Sequence, residues 1–152
     1  MSLFGIPFTG ADVGGFGGDT NELLLARWGQ LGAFYPFFRN HYAINKKPQE
    51  FYLFPDIEEG IKTSMRQRYM FSRFMYTKLF EESEYGTPAI RDMSYDWPLD
   101  NHLPLNGTFL WGKELKVTIL VDEKTHKVTD TFEAYFPEAR WLDLNSMGIV
   151  NS

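Results

Sequence analysis

The chain has no cysteine among its 152 residues. Disulfides, thiolate metal sites and cysteine nucleophiles are therefore excluded. Its three histidines, His41, His102 and His126, are scattered without metal-ligand spacing. Neither a metal nor another cofactor is expected. No stretch approaches the roughly 20 apolar residues that a membrane-crossing helix needs, so no membrane span is expected. Residues 1–16 lack the positively charged start of a signal peptide. Basic residues are the minority: 15 Lys and Arg stand against 20 Asp and Glu, for a net charge of −5. No basic patch is interleaved with stacking aromatics, which argues against a nucleic-acid partner.

What the chain has in quantity is apolar and aromatic surface. Hydrophobic residues make up 43% and aromatics 17%. That supply suits a dense core or a carbohydrate-facing cleft and is far from the composition of a disordered chain. The length suffices for one ordinary domain with a real core.

The most informative stretch runs from Gly10 to His41, GADVGGFGGDTNELLLARWGQLGAFYPFFRNH. Residues 3–9, LFGIPFT, are short and mostly apolar with Pro7 interrupting them, a pattern that predicts a buried strand. Asp12 follows directly, set among Gly10, Gly14, Gly15, Gly17 and Gly18. Glycines allow unusual backbone angles and close approach of a ligand. Asp12 reads either as a ligand-facing carboxylate or as a turn cap or ion-pair partner of Arg39. Phe16 reads as an ordinary packing residue or a wall for a ligand, and His41 as a structural hydrogen-bonder or a ligand group.

The helical periodicities come next. Residues 20–33 place Leu24, Trp28, Leu31 and Tyr35 on one stripe, with Leu23, Leu25 and Phe34 widening it. Tyr35-Pro36 is expected to end this helix. Asp19 with Glu22, and Asp56 with Glu59, read as capping boxes. Residues 42–55 read as a loop. Residues 56–85 carry the longest helical signal, with Ile57, Ile61, Met65, Tyr69, Phe71, Phe74, Met75 and Leu79 as core and Gly86 as C-terminal cap. Lys62, Arg66, Arg68, Arg73 and Lys78 read as solvated or dipole-balancing groups. Residues 89–95 suit a strand, and residues 97–107 are turn-rich. Strands are then predicted in FLWG and LKVTILVDE, followed by a polar hairpin around Lys124-Thr125-His126, then strands in FEAYF and WLDL. Asn106-Gly107-Thr108 is a glycosylation sequon and equally a tight-turn signal.

A set of motifs recurs in order along nearly the whole chain. It comprises Gly10-Ala11-Asp12-Val13 with Gly15-Phe16, then Arg27-Trp28, Gln30-Leu31-Gly32-Ala33-Phe34-Tyr35-Pro36-Phe37 and Arg39-Asn40-His41. Weaker members are Pro48-Gln49-Glu50, Arg68-Tyr69, Phe109-Leu110-Trp111-Gly112, Tyr135-Phe136-Pro137 and Trp141 with Asp143. In these motifs the chain resembles glycoside hydrolase family 31, in its acid α-glucosidase and maltase-glucoamylase branch. The resemblance implies an α/β part followed by an all-β part. Residues 1–97 would form the last strands and helices of a (β/α)8 barrel, and residues 98–152 the start of an antiparallel, sandwich-like β-domain. The barrel and the β-domain would both be partial. It further implies that Asp12, Phe16 and His41 bind substrate, with Arg39 orienting them from behind. Secreted members of the family often carry a cysteine where Gly14 stands and a partner where Leu25 stands.

The resemblance also implies what is missing. Family enzymes retain configuration and need two carboxyl groups about 5–5.5 Å apart. The nucleophile's Trp-x-Asp-Met-Asn-Glu type motif is absent, and so is the Gly-Asp-Asn segment of the acid/base; both are expected upstream. Asp19, Glu22, Glu50, Asp56, Glu58 and Glu59 each have a simpler role and form no persuasive pair. The expectation is a contribution to an α-glucosidase-type hydrolase acting on terminal α-linked glucose, inactive as this chain alone. The alternative is a non-catalytic carbohydrate-binding or barrel-complementing chain. An α-glucoside oligosaccharide and the missing part of the barrel are the expected partners. The resembling branch implies a secretory, lysosomal or vacuolar location.

Overall fold

A computed structural model of the chain describes residues 1–104, 107–118, 134–144 and 146–151. It divides into two compact units, Met1–Ala89 and Ile90–Ser152. The boundary read from the sequence lies at 97–98.

Unit 1 opens on a single 3-10 turn, Ser2–Phe4, closed by Gly5. Residues 3–9 are not a buried strand, which corrects the expectation. Leu3 and Phe4 are 73% and 82% exposed, and Ile6 and Phe8 are exposed as well. A strand is stable only where a neighbour completes its hydrogen bonds, and among the described residues this segment meets one only at Thr9, whose carbonyl accepts from Phe37 N (3.0 Å).

Helix α1 spans Glu22–Gly32. Its cap is Asn21, not the expected Asp19–Glu22 box: Asn21 Oδ1 accepts from Leu24 N at 2.9 Å, a contact worth about 1 kcal/mol. Asp19 instead accepts from Lys47 N across the loop. The buried face also differs from the expected stripe. It runs through Leu25, Gly29 and Gly32, while Leu23 and Leu24 are exposed and Trp28 and Leu31 half-buried. Close approach is the reason. A Cβ on Gly29 would stand 2.2 Å from Ile61 Cδ1, and one on Gly32 would stand 2.5 Å from Val13 Cγ2. The helix turns its smallest residues toward its neighbours and its larger ones partly outward.

The helix stops three residues short of Tyr35. The carbonyls of the turn that follows need donors. Arg68 supplies them: its guanidinium donates to the carbonyls of Ala33, Tyr35 and Pro36 at 2.7, 2.5 and 2.9 Å. Arg68 is thus a part-buried clamp, not the solvated group expected, and its burial lowers its pKa from the ordinary value.

Helix α2 spans Pro55–Tyr85 and packs against α1. Pro55 sits at the first helical position, where its missing N–H is not needed. The expected Asp56–Glu59 box does not form. Phe54 occupies the cap position without a side-chain bond, and Glu59 and Glu58 pair with Lys62, each at 2.9 Å. Gly86 closes the helix in the left-handed region (φ 70°), its N–H donating to Glu82 O. Ile61, Ser64, Met75 and Glu82 are buried. Tyr69, expected in the core, is exposed. The Glu82 carboxylate accepts from Ala89 N at 2.8 Å and ties down the end of the unit.

Unit 2 is antiparallel. Strands β1 (Ile90–Arg91), β2 (Thr108–Trp111) and β3 (Leu115–Thr118) form one sheet in that order. Trp111 faces Ile90 on one side and Leu115 on the other. A second sheet pairs β4 (Arg140–Leu142) with β5 (Ile149–Asn151). Residues 89–95, expected as one strand, give only the two residues of β1 before Asp92 caps a 3-10 turn at Met93–Tyr95. The core is Met93, Leu110 and Trp141, with Trp97, Leu103, Phe136 and Val150 packed on it. The expected hairpin around Lys124-Thr125-His126, the Leu120-Val121-Asp122 end of the preceding strand and Asn106 lie outside the described residues. Within FEAYF, residues 134–136 are described and are not strand. The chain is therefore α/β followed by all-β, with parts of two antiparallel sheets in the second half.

Candidate functional site

The site is built where two segments of unit 1 run side by side. Residues 9–13 and 37–41 pair in parallel. Phe37 N donates to Thr9 O (3.0 Å), Val13 N to Arg39 O (2.9 Å) and His41 N to Val13 O (3.3 Å). Val13 and Asn40 form the bridge itself. Parallel strands need a long crossover, and α1 with its flanking turns is that crossover. Gly10 makes the approach possible, since any Cβ there would lie 1.9 Å from Phe37 O.

This pairing gathers all four residues singled out from the sequence. Asp12 Oδ1 accepts from Arg39 Nη2 at 2.6 Å, with side chains 25% and 49% exposed. Oδ2 of Asp12 makes no hydrogen bond among the described residues. Arg39 also lies over the Phe37 ring, 5.4 Å from its centroid. Phe16 and His41, both exposed, stack with centroids 5.6 Å apart and planes 28° from parallel. Phe16 O accepts from Ala43 N, so the backbones beside the two rings are joined as well.

Two neighbours extend this surface. Tyr42 donates its hydroxyl to Glu50 Oε1 at 3.1 Å. The hydrogen bond to Glu50 holds the Tyr42 phenol above its ordinary pKa. The second oxygen of Glu50 is buried without a partner. Glu50 thus faces a phenol, Asp19 a backbone amide, and Glu58 and Glu59 a lysine. None of these four makes its contact with another carboxylate. Among the described residues no group of three or more His, Asp or Glu could hold a metal ion, and no helix is long and apolar enough to cross a membrane.

Sequence reasoning passed over Gln49. Its side chain is 1% exposed, and its Nε2 donates to Val13 O, Gly15 O and His41 O. The signal available was weak: an amide within the Pro48-Gln49-Glu50 motif.

Residues 1–78 match the glycosyl hydrolases family 31 TIM-barrel domain, and residues 86–152 match the family 31 C-terminal domain. The chain is 40% identical over 151 residues to a probable alpha/beta-glucosidase, agdC, of Aspergillus clavatus, covering 98% of this chain and 16% of the relative. It is 36% identical over 149 residues to the lysosomal alpha-glucosidase of Bos taurus, covering 97% of this chain and again 16% of the relative. Among solved structures, a Glc1Man2-bound glucosidase II alpha subunit superposes with a TM-score of 0.85 at 32% identity, over 99% of this chain and 16% of that one. A Flavobacterium johnsoniae GH31 dextranase complexed with glucose gives 0.84 at 29% identity, over 99% of this chain and 19% of that one. The chain spans 16% of the length of these curated relatives. Matched from end to end by the barrel and C-terminal domains in their family order, it belongs to glycosyl hydrolase family 31.

Proposed function

We propose that this chain supplies part of the sugar-holding rim of a retaining α-glucosidase-type hydrolase acting on terminal α-linked glucose of oligosaccharides. The observation that carries the reading is the parallel pairing of residues 9–13 with 37–41, which sets Asp12, Arg39, Phe16 and His41 on one rim. Asp12 uses one oxygen on Arg39 and offers the other to a sugar hydroxyl. Arg39 holds that carboxylate in place through this contact. Phe16 offers a flat apolar ring to the weakly apolar face of a pyranose, and His41 offers ring nitrogens to adjacent hydroxyls.

Retention requires two further carboxyl groups about 5–5.5 Å apart, one nucleophile and one acid/base. We assign neither to this chain, because Asp19, Glu50, Glu58 and Glu59 are engaged elsewhere. The remainder of the barrel is the partner that supplies them. Likeness to a lysosomal relative supports a secretory or lysosomal location.

Asp12→Asn and His41→Ala, made in the polypeptide as its source produces it, should each lower kcat/KM for maltose at least about tenfold. That is the scale of one charge-assisted or substrate-facing hydrogen bond. Near-normal turnover in both variants would remove this assignment. Maltose binding without hydrolysis in the unaltered polypeptide would replace it with a carbohydrate-binding role.

A further inference from the structure

The two loops that carry Phe16 and His41 meet over a single buried side chain. Gln49 is almost fully enclosed, yet what encloses it is polar. Three backbone carbonyls face its amide nitrogen: Val13 O at 3.3 Å, Gly15 O at 3.3 Å and His41 O at 3.1 Å. The first two bracket Gly14 and lead into Phe16; the third belongs to His41 itself. Only a donor can sit among three acceptors, so the amide has one permitted orientation. Its two hydrogens serve three carbonyls, which fits distances at the long end of the usual range. The main chain of Gln49 is held in turn, since Asn40 Nδ2 donates to Gln49 O at 3.0 Å.

Gly14 completes the arrangement. Its φ is 102°, and a Cβ there would stand 2.3 Å from Gln49 Nε2. The first loop therefore closes on the amide with no side chain between them. A buried amide is costly without partners, and this one has been placed where its donors are used on the two loops of the rim.

We propose that Gln49 is a positioning residue that sets the separation of Phe16 and His41, and through it the width of the sugar slot. This rests on the reading of that rim as a sugar subsite. Gln49 does not touch the sugar. It links the carbonyls on either side of Gly14 to the carbonyl of His41, so the two rings, 5.6 Å apart, keep one geometry. An apolar side chain of equal length fills the same space and provides no link. The three carbonyls then lose their shared donor, and only the long backbone bonds His41 N to Val13 O and Ala43 N to Phe16 O, each 3.3 Å, still join the loops beside the two rings, which are then free to shift.

The experiment compares Gln49→Met, Phe16→Ala and Asp12→Asn in the full polypeptide with the wild type. The first readout is the imidazole proton shift of His41, assigned by its disappearance in His41→Gln. The Phe16 ring current displaces this signal in the wild type and releases it in Phe16→Ala. In folded Gln49→Met it should move most of the way to the Phe16→Ala value. The second readout is the Kd for 1-deoxynojirimycin, which should rise about tenfold in Gln49→Met. A His41 signal at its wild-type position in folded Gln49→Met overturns the clamp, because a role in stability alone leaves the ring geometry of the folded molecules unchanged. Affinity unchanged in Asp12→Asn overturns the sugar reading instead, and the His41 signal still decides the clamp. Should Gln49→Met fail to fold, Asn40→Ala releases the Gln49 carbonyl while keeping the amide, and is read against the same two outcomes.

Discussion

In residues 1–89 the side chains that close the structure are polar and reach for backbone. Gln49 holds carbonyls of two loops, Arg68 holds three carbonyls after α1, and Glu82 holds Ala89 N. Large apolar residues such as Phe4, Phe8, Tyr69, Met70 and Tyr76 lie exposed, and α1 meets Ile61 of α2 through a glycine, Gly29. In residues 90–151 aromatic packing is added to such polar ties, which here include the buried pair of Arg91 with Asp96. Trp141, Met93 and Leu110 form a compact cluster with Trp97 and Phe136 packed around it. The contrast separates two ways of fixing a chain. Directional bonds to named carbonyls specify where loops go, and aromatic burial supplies stability without specifying much about loops. The rim residues lie in the half that is specified by hydrogen bonds.

The largest test of this contrast is Trp141→Ala. The ring packs on Trp97 and edge-on against Phe136, and its Nε1 donates to Pro137 O at 2.9 Å. Removing it should destabilise residues 90–151 by about 3–5 kcal/mol, read as faster amide exchange throughout β2 and β3 of the full polypeptide. Exchange unaltered there would mean that the aromatic cluster is not what holds the second half.

Arg68→Ala is the counterpart in the first half, with a smaller effect of about 2–3 kcal/mol for lost charge-assisted bonds. Its signature should be local: faster exchange at the C-terminal turn of α1 and the turn to Pro36. Arg68→Lys should recover only part, because an ammonium cannot reproduce the planar fork. Full recovery by lysine would show that charge, not the fork, is what the three carbonyls require.

The smallest expected effect concerns pH. Lys116 lies on β3 with its ammonium 4.2 Å from the Phe136 ring centroid and hydrogen-bonded to Thr118 Oγ1. Burial lowers its pKa from 10.5 to about 8. Between those values the unfolded chain holds more protons than the folded one, so stability should rise as pH goes from about 8 to 10. Below pH 8 the cost of burying the charge is fully present. Tyr135, whose phenol is held up by its hydrogen bond to Asp100, acts in the opposite sense above pH 10, which sets the upper end of the window. Lys116→Met should flatten the slope, as followed by exchange in β2 and β3. A slope that survives the substitution would assign the effect to another group.

Local rules were legible where the chemistry is local. Gly86 was readable as a cap because a left-handed residue after a long periodic run favours glycine. The long helix of 56–85 and the strands in FLWG and LKVT followed from period alone. Residues 3–9 were misread because their apolar run satisfies a strand pattern without showing what would pair with it. The buried face of α1 was misread because a hydrophobic count favours Leu24 and Trp28, while the actual constraint is how near Ile61 and Val13 come to Gly29 and Gly32. Arg68 and Gln49 were passed over for a common reason. Their partners are backbone carbonyls, which leave no trace in residue identity.

By itself the sequence determined the family, through the order of its motifs, and the helical and antiparallel halves, through their periods. It named Asp12, Phe16, Arg39 and His41 as candidates. Only the tertiary structure decided that they share one rim, because the pairing of residues 9–13 with 37–41 is a contact between segments separated by a helix. It also decided where Gln49 sits, with three carbonyls from two loops converging on its one amide.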